Sequence, residues 1–191
     1  MSERLHILPN GFRIVTEAMP GLQSASVGLW VEAGGRHETP DQNGIAHFLE
    51  HMAFKGTRTR DCQRINLDAE RLGAAVNAHT DKDHTAYHMR GLAAHAPRFI
   101  RMLGDIVRES TFPEEELERE RRVILHEVAD DEDDPLTIAL QLFDRASFGT
   151  HPAGQPVIGR RANIERFTRD DLLGYVQRQY SGANAMVGVA G

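Results

Sequence analysis

Apolar residues recur along the chain in two patterns, alternating with polar residues in some segments and returning every three to four residues in others. The alternating or short apolar runs predict strands near residues 5–8, 12–18, 25–33, 74–80, 84–91 and 184–190. The helical spacing predicts helices near residues 43–54, 61–72, 94–110, 113–130, 135–147 and 168–179. Because the strands come in adjacent pairs and the helices in a run, we predict an α+β fold, with a largely antiparallel sheet and helices packed on one face.

The composition is that of a single globular domain. Its 191 residues are 40% hydrophobic, enough to bury one core over residues 1–191. A net charge of −6 without a basic stripe argues against nucleic acid as a partner. No apolar run approaches a membrane span, so no membrane partner is expected. One cysteine excludes an internal disulfide, and no secretory or transit segment is seen, so we expect a bacterial cytoplasmic location.

His47, Glu50 and His51 form an H-x-x-E-H pentad within the helix predicted for residues 43–54. Residues three and four apart lie on the same face of a helix, with Cβ atoms roughly 5–6 Å apart. The two imidazoles can therefore reach one zinc ion, which binds histidine nitrogens at about 2.0–2.1 Å. The Glu50 carboxylate can lie beside that ion without binding it, as activation of a water molecule requires. The motif is the reversed form of H-E-x-x-H, called inverzincin.

An alternative interpretation of the pentad is two surface histidines and a solvated glutamate. The rest of the helix argues against this, because apolar residues surround most of its circumference. These residues are Ile45, Phe48, Leu49, Met52 and Ala53. Burying an unpaired polar group costs roughly 2–7 kcal/mol, so the pentad needs partners, and a metal ion supplies one.

A catalytic zinc ion takes a third protein ligand and keeps a fourth position open. His84 and His88 lie on a predicted strand, where four residues span about 13 Å, too far for both to bind one ion. His79 lies across the predicted turn from them, and no sequence spacing directs it to the pentad, so it would be a ligand only if the packing happened to place it there. Cys62 is the single cysteine, and a lone buried cysteine is more often a small core residue.

Two glutamates of a later helix are stronger candidates for the third ligand. Glu120 and Glu127 lie on one stripe of the helix predicted for residues 113–130, beside apolar residues. They are two turns apart, about 10.5 Å along the axis, so one can bind the metal while the other orients a ligand. The spacing does not choose between them. An ion pair with an arginine of the same helix is the alternative for both.

Four segments of the chain resemble one known family. LPNGFRIVTE resembles its opening strand pair, SVGLWVEAGGRHE its next strand and turn, GIAHFLEHMAFKGT its active-site helix, and ERERRVILHEV the segment with its third ligand. On these residues the chain resembles peptidase family M16, the pitrilysin and mitochondrial-processing-peptidase family of zinc peptidases. The resemblance implies that His47, His51 and Glu127 are the zinc ligands.

The same resemblance implies roles for two further carboxylates and a reaction. Glu50 is expected to be the general base, and Glu120 matches a second acidic position that assists the site. The implied function is that of a zinc-dependent metalloendopeptidase, which hydrolyses peptide bonds of extended or unfolded peptides.

Residues Asn77, Ala78, His79 and Thr80 resemble the family's strand beside the active site. An extended peptide substrate is expected to add there as a further strand. Such addition reads the peptide backbone through hydrogen bonds and leaves side-chain selection to pockets. The alternative is an ordinary hairpin edge, and the residues at 81–83 depart from the family's usual ones.

The resemblance also implies a partner. Family members continue through a second, similar domain, so we expect an N-terminal-type domain at residues 1–191 that lacks this partner and is weakly active alone. A second domain or subunit, in a homodimer or heterodimer, is expected to complete the substrate chamber.

Two other functions compete with the peptidase. One is a non-catalytic structural subunit of an M16-type assembly, but such subunits tend to lose ligands and this sequence keeps them. The other is an enzyme like S-ribosylhomocysteine lyase, which carries H-x-x-E-H but takes a cysteine as third ligand. Cys62 is only eleven residues beyond His51, and the ERERRVILHEV segment favours the peptidase.

Overall fold

The computed structural model describes residues 3–191, and a single sheet runs through them. Its six strands are β1 (Glu3–Ile7), β2 (Arg13–Glu17), β3 (Ser24–Val31), β4 (Ala75–Thr80), β5 (Thr85–Leu92) and β6 (Ala185–Ala190). They lie in the order β1-β2-β6-β3-β5-β4. Over this range β2 and β6 are parallel and every other neighbouring pair is antiparallel. Strands β1 and β4 are therefore the two edges.

Seven α-helices occur in the same range. They are α1 (Ile45–Ala53), α2 (Cys62–Arg71), α3 (Ala96–Arg108), α4 (Glu114–Asp133), α5 (Pro135–Phe148), α6 (Arg161–Ile164) and α7 (Arg169–Gln179). The predicted α+β class and largely antiparallel sheet are confirmed, and each predicted element lies within a few residues of its predicted bounds. Two details differ, since α6 was not predicted and α4 runs beyond its predicted end. None of the helices in this range is long and apolar enough to cross a membrane.

Helices cover one face of the sheet. Val27, Tyr87 and Met89 point toward that face and are buried against α3. Successive side chains of a strand point to opposite faces, so His88, between Tyr87 and Met89, points to the other face. Burying each large apolar side chain contributes roughly 1.5–3 kcal/mol, which fixes the register of these strands.

The opposite face of the sheet accommodates the one tryptophan of the chain. Gly28 and Gly188 are register partners on β3 and β6. A Cβ atom at Gly28 would lie 2.4 Å from the Trp30 ring, and one at Gly188 would lie 2.9 Å from it. Glycine at both positions therefore lets the indole lie flat against the sheet.

Helix α1 is held between the sheet and two other helices. It contacts α4, α7, β4 and β5, and Phe48, Leu49 and Met52 are almost fully buried there. The pentad residues lie between these apolar positions and are only partly buried. The apolar pattern around α1 thus anchors the helix and leaves one polar stripe that faces α4.

Candidate metal centre

His47 and His51 of α1 converge on Glu127 of α4. The Nε2 atom of His47 lies 3.8 Å from Glu127 Oε2, and the Nε2 atom of His51 lies 3.5 Å from the same oxygen. The two imidazole rings are 4.7 Å apart and meet edge to face. One donor atom from each of the three residues lies within 4.8 Å of the other two, and no other group of three or more His, Cys, Asp or Glu residues within 3–191 meets this condition.

Glu120 fixes the orientation of His51. Its Oε2 atom lies 3.0 Å from His51 Nδ1. Burial acts to raise the pKa of Glu120, but its hydrogen bonds with His51 and Lys55 outweigh this and lower it, so the carboxylate is ionised and can only accept. His51 Nδ1 is therefore the donor, and in the neutral ring, the form that binds a metal, the Nε2 lone pair faces Glu127.

Lys55 completes this arrangement. Its Nζ atom lies 2.6 Å from Glu120 Oε1, the carboxylate oxygen that His51 does not use. Because Glu120 is largely buried, the ammonium group compensates a charge that is mostly shielded from water. The predicted alternative of an ion pair between Glu120 and an arginine of its own helix is not what the structure shows.

The two histidines have opposite pKa shifts. Burial lowers the pKa of His47 to about 4, and the neighbouring His51 contributes to this shift. Burial acts in the same direction on His51, but the hydrogen bond with Glu120 and the charges of the surrounding carboxylates outweigh it and raise the pKa. His47 is thus neutral at pH 7 and ready to bind a metal, whereas the raised pKa of His51 favours the protonated ring, and a metal must displace that proton.

The electrostatics of the site fit a divalent cation. Burial raises the pKa of Glu127, and the charges of Glu120 and Glu50 raise it further. Three carboxylates thus lie around two imidazoles, and Lys55 offsets one of them. Two histidines and one glutamate are a known ligand set of catalytic zinc. The donor chemistry and the excess of negative charge therefore suit zinc at His47, His51 and Glu127.

The site is open on one side. The side chains of His47 and His51 are 17% exposed, whereas that of Glu127 is 40% exposed. Glu50 is half-buried beside them, and its charge reaches both His51 and Glu127. A water molecule or a substrate carbonyl can therefore approach from the Glu127 side with Glu50 close by.

His47 lacks the support that His51 receives from a carboxylate. Its Nδ1 atom is buried and has no hydrogen-bond partner among the residues that the structure describes. The position of His47 therefore depends on the backbone of α1 and on packing, because no hydrogen bond at Nδ1 orients the ring.

The predicted substrate strand is the free edge of the sheet beside α1. Asn77, Ala78, His79 and Thr80 all lie on β4, which contacts α1. Asp81 N–H donates to His84 O at 2.9 Å, and hydrogen-bonded and non-bonded pairs alternate along an antiparallel ladder. In the observed register His79 and Asn77 are then bonded to β5, while Ala78 and Thr80 direct their backbone groups to the free edge.

One of these edge groups is engaged by a side chain. Asn77 Oδ1 accepts a hydrogen bond from Ala78 N–H at 2.9 Å. An incoming strand that bonds to this N–H must displace the Asn77 carboxamide. Of the four residues predicted to bind substrate, Ala78 and Thr80 thus offer backbone groups, and Asn77 and His79 offer side chains.

The other candidate ligands do not join the metal centre. The His79 ring centroid lies 5.4 Å from that of His84 and 5.9 Å from that of His88, on the hairpin of β4 and β5. The three histidines form no group with convergent donor atoms. Cys62 is the first residue of α2 and is likewise absent from the one convergent group of residues 3–191.

Lys55 is a functional candidate that the sequence interpretation missed. It lies four residues after His51, one turn further along the direction of α1. Its partner could not be identified from spacing, because Glu120 is 65 residues away in the sequence (120 − 55).

Comparison with known proteins identifies the family. Residues 13–161 match the family model described as Insulinase (Peptidase family M16). The chain therefore belongs to peptidase family M16, and the resemblance stated from its motifs is confirmed.

Named relatives are zinc proteases and a processing peptidase. An "Uncharacterized zinc protease YmxG" of Bacillus subtilis is 40% identical over 182 residues, which cover 95% of this chain and 44% of that protein. The beta subunit of the mitochondrial-processing peptidase of Bos taurus is 37% identical over 188 residues, which cover 98% of this chain and 38% of that protein. The chain thus spans less than half the length of these relatives.

Solved structures show the same fold. A protease from Helicobacter pylori superposes with a TM-score of 0.93 at 25% identity, over 98% of this chain and 46% of that chain. A structure described as a peptidase M16 inactive domain, from Pseudomonas fluorescens, also gives a TM-score of 0.93, at 21% identity over all of this chain and 47% of the other. The second likeness concerns the fold alone.

Proposed function

We propose that this chain is the metal-binding domain of a zinc-dependent endopeptidase. The observation that carries the proposal is the convergence of His47, His51 and Glu127 within 4.8 Å, with Glu50 on the same stripe of α1. Membership of peptidase family M16 and the zinc-protease names of relatives support it. His47, His51 and Glu127 would hold the ion.

The chemistry of this site divides between the ion and Glu50. A zinc ion bound by three ligands lowers the pKa of a water molecule and polarises a carbonyl group. Glu50 takes a proton from the attacking water and delivers it to the leaving amine. Its half-buried position lets it accept that proton while remaining within reach of the open side of the site.

Glu120 and Lys55 act on the ligands rather than on the substrate. Glu120 keeps the Nδ1 proton of His51 in place, so that Nε2 stays available for the ion. Lys55 keeps that carboxylate ionised and aligned. Loss of either residue should weaken metal binding before it alters the proton transfer by Glu50.

The substrate proposed for this site is an extended peptide added to β4. The free backbone groups of Ala78 and Thr80 would pair with it, next to the helix that carries Glu50. Pairing through the backbone favours unfolded segments over any one side-chain sequence. A second M16-type domain would enclose the peptide, in keeping with the greater length of the relatives.

The test is cleavage of an unfolded peptide with and without a chelator, together with metal analysis of the same samples. Zinc-dependent cleavage that stops in Glu50→Gln, while zinc stays bound, is expected. Glu70→Gln, an exposed glutamate of α2, is the matched control and should cleave as the wild type does. Addition of a second M16-type domain should raise turnover. Cleavage that persists in the chelator or in Glu50→Gln would refute the proposal.

A further inference from the structure

The helix that carries the pentad begins without a capping side chain of its own. Its N-cap is Gly44, in the left-handed region at φ 100°, which offers no side-chain acceptor. The first N–H groups of a helix have no partner inside the helix and need acceptors from elsewhere. By comparison, α2 is capped by Asp61 and α7 by Thr168, each accepting from a backbone N–H of its own first turn.

Glu38 supplies the missing acceptor from outside the helix. Its Oε1 atom accepts from Ala46 N–H at 2.8 Å, and its Oε2 atom accepts from Gly44 N–H at 2.8 Å. Ile45 N–H between them donates to Gln42 O at 2.9 Å. One carboxylate, only 1% exposed, therefore accepts two of the three N–H groups from Gly44 to Ala46.

The Glu38 carboxylate is held in place from its other side. Asn43 Nδ2 donates to Glu38 Oε2 at 3.2 Å and to Pro156 O at 2.8 Å. Asn163 Nδ2 donates to Asn43 O at 3.1 Å. These amides join the start of α1 to the segment 156–163, so Glu38 has little freedom to move.

This cap acts on the histidine whose Nδ1 atom has no hydrogen bond to orient its ring. His47 is the third residue of α1, within the turn that Glu38 caps. Its Nδ1 atom has no partner among the described residues, whereas His51, one turn later, is fixed by Glu120. An anion at a helix N-terminus is also favoured by the helix dipole. Release of the first turn would therefore displace His47 and leave His51 in place.

We propose that Glu38 is a positioning residue, which holds the first turn of α1 so that His47 Nε2 faces Glu127. This inference rests on the proposed metal site and adds a residue to its support. Glu38 does not touch the ion or the substrate. It acts through the backbone of Gly44 and Ala46. A cap with only a structural role would stabilise the fold but would not alter the position of His47 or the affinity for zinc.

The test compares two carboxylate caps changed to carboxamides, Glu38→Gln and Asp61→Asn. Zinc affinity is measured by chelator competition at pH 8, above the pKa of Glu38, which burial raises to about 7. Glu38→Gln should bind zinc about tenfold more weakly, at the low end of the loss seen for residues that orient ligands. Asp61→Asn makes the same carboxylate-to-carboxamide change at the cap of α2 and should leave the affinity unchanged, even if either variant unfolds at a lower temperature.

The visible absorption of the cobalt-substituted protein reports directly on the position of His47. With cobalt in place of zinc, Glu38→Gln should shift the visible absorption bands because His47 is misplaced, and Asp61→Asn should not. If Glu38→Gln does not fold, Asn43→Ala keeps the carboxylate but removes its side-chain donor, and should weaken zinc binding in the same direction.

The outcomes separate this inference from the proposed site. If the wild-type chain binds zinc and Glu38→Gln has the same affinity and spectrum, the positioning role alone is overturned. Where Glu38→Gln does not fold, the same result in Asn43→Ala overturns it. An equal loss of affinity in Asp61→Asn would also overturn it, because the effect would then be one of general stability. A wild-type chain that binds no zinc would overturn the metal site and this inference with it.

Discussion

Two groups of closely spaced histidines within residues 3–191 differ in what surrounds them. His47 and His51 lie 4.7 Å apart, centroid to centroid, on consecutive turns of a buried helix. His79 lies 5.4 Å from His84 and 5.9 Å from His88 on the edge hairpin. Ring spacing is thus similar, yet only the helical pair shares a third donor, Glu127.

Charge is the second difference. The carboxylates near His51 raise its pKa, although burial acts against them. The pKa of His88 is instead lowered, by burial and by the nearby His79 and Arg90. The hairpin also has a carboxylate, with Asp81 Oδ2 3.2 Å from His84 Nδ1, but its donor atoms do not converge. Convergence of donor atoms, rather than a local excess of histidine, therefore distinguishes the candidate metal centre.

The largest expected effect comes from removing each histidine group in turn and measuring the zinc that remains bound. His47→Ala with His51→Ala should abolish zinc binding, because two of the three proposed ligands are lost. Replacing His79, His84 and His88 together by alanine should leave one zinc per chain. Elemental analysis of both proteins decides the matter, and metal that follows the hairpin histidines would reverse the assignment.

Removal of Glu127 should have the next largest effect. Glu127→Ala is expected to weaken zinc binding by more than ~100-fold. Residues that only orient ligands cost up to about 100-fold, and removal of a proposed ligand should cost more. Glu132→Ala, an exposed glutamate of the same helix, is the control and should bind normally. A small loss in Glu127→Ala would mean that another residue is the third ligand.

Changes at Glu120 and Lys55 should be smaller. Glu120→Gln is expected to weaken zinc binding by about 10–100-fold, because His51 loses the acceptor of its Nδ1 proton. Lys55→Met should also weaken zinc binding, but by less. Glu118→Gln, on the same helix as Glu120, should leave zinc affinity unchanged. Chelator competition measures all three, and an effect of Glu120→Gln that exceeds that of Glu127→Ala would exchange their roles.

The smallest effect is a pH dependence that the hairpin histidines should not share. The pKa of His51 is raised above its ordinary value of 6.5, so its contribution to the stability of the metal-free fold is fully present below pH 6.5 and is lost as pH rises through the raised pKa. Zinc affinity should increase over the same range, because the ion displaces that proton.

Calorimetry in buffers of different ionisation enthalpy checks the displaced proton. Wild-type protein should release it on binding zinc at pH values where His51 is protonated, and Glu120→Gln should release less. Proton release that is unchanged in Glu120→Gln would show that His51 is not its source.

The sequence predicted the local part of the site and left the long-range part open. The i, i+3, i+4 spacing of the pentad and the apolar residues around it were sufficient for a buried helix with two convergent imidazoles. Glu120 and Glu127 could not be told apart by spacing, because both lie on one stripe of α4. Only the packing of α4 on α1 shows that Glu120 meets His51 Nδ1 while Glu127 faces both Nε2 atoms.

The same limit applies to the fold. Strands and helices follow from periodicity, but the insertion of β6 between β2 and β3, parallel to β2, has no local signal. The capping role of Glu38 was missed for a similar reason. Its carboxylate lies in a turn before α1, and its burial depends on Pro156 and Asn163, more than a hundred residues away in the sequence.

The most direct test of the metal centre is anomalous diffraction from crystals of the zinc-loaded protein, recorded on both sides of the zinc absorption edge. A single strong peak should lie between the Nε2 atoms of His47 and His51 and the carboxylate of Glu127. A peak on the β4–β5 hairpin, or Glu127 turned away from a peak at the two imidazoles, would contradict this account.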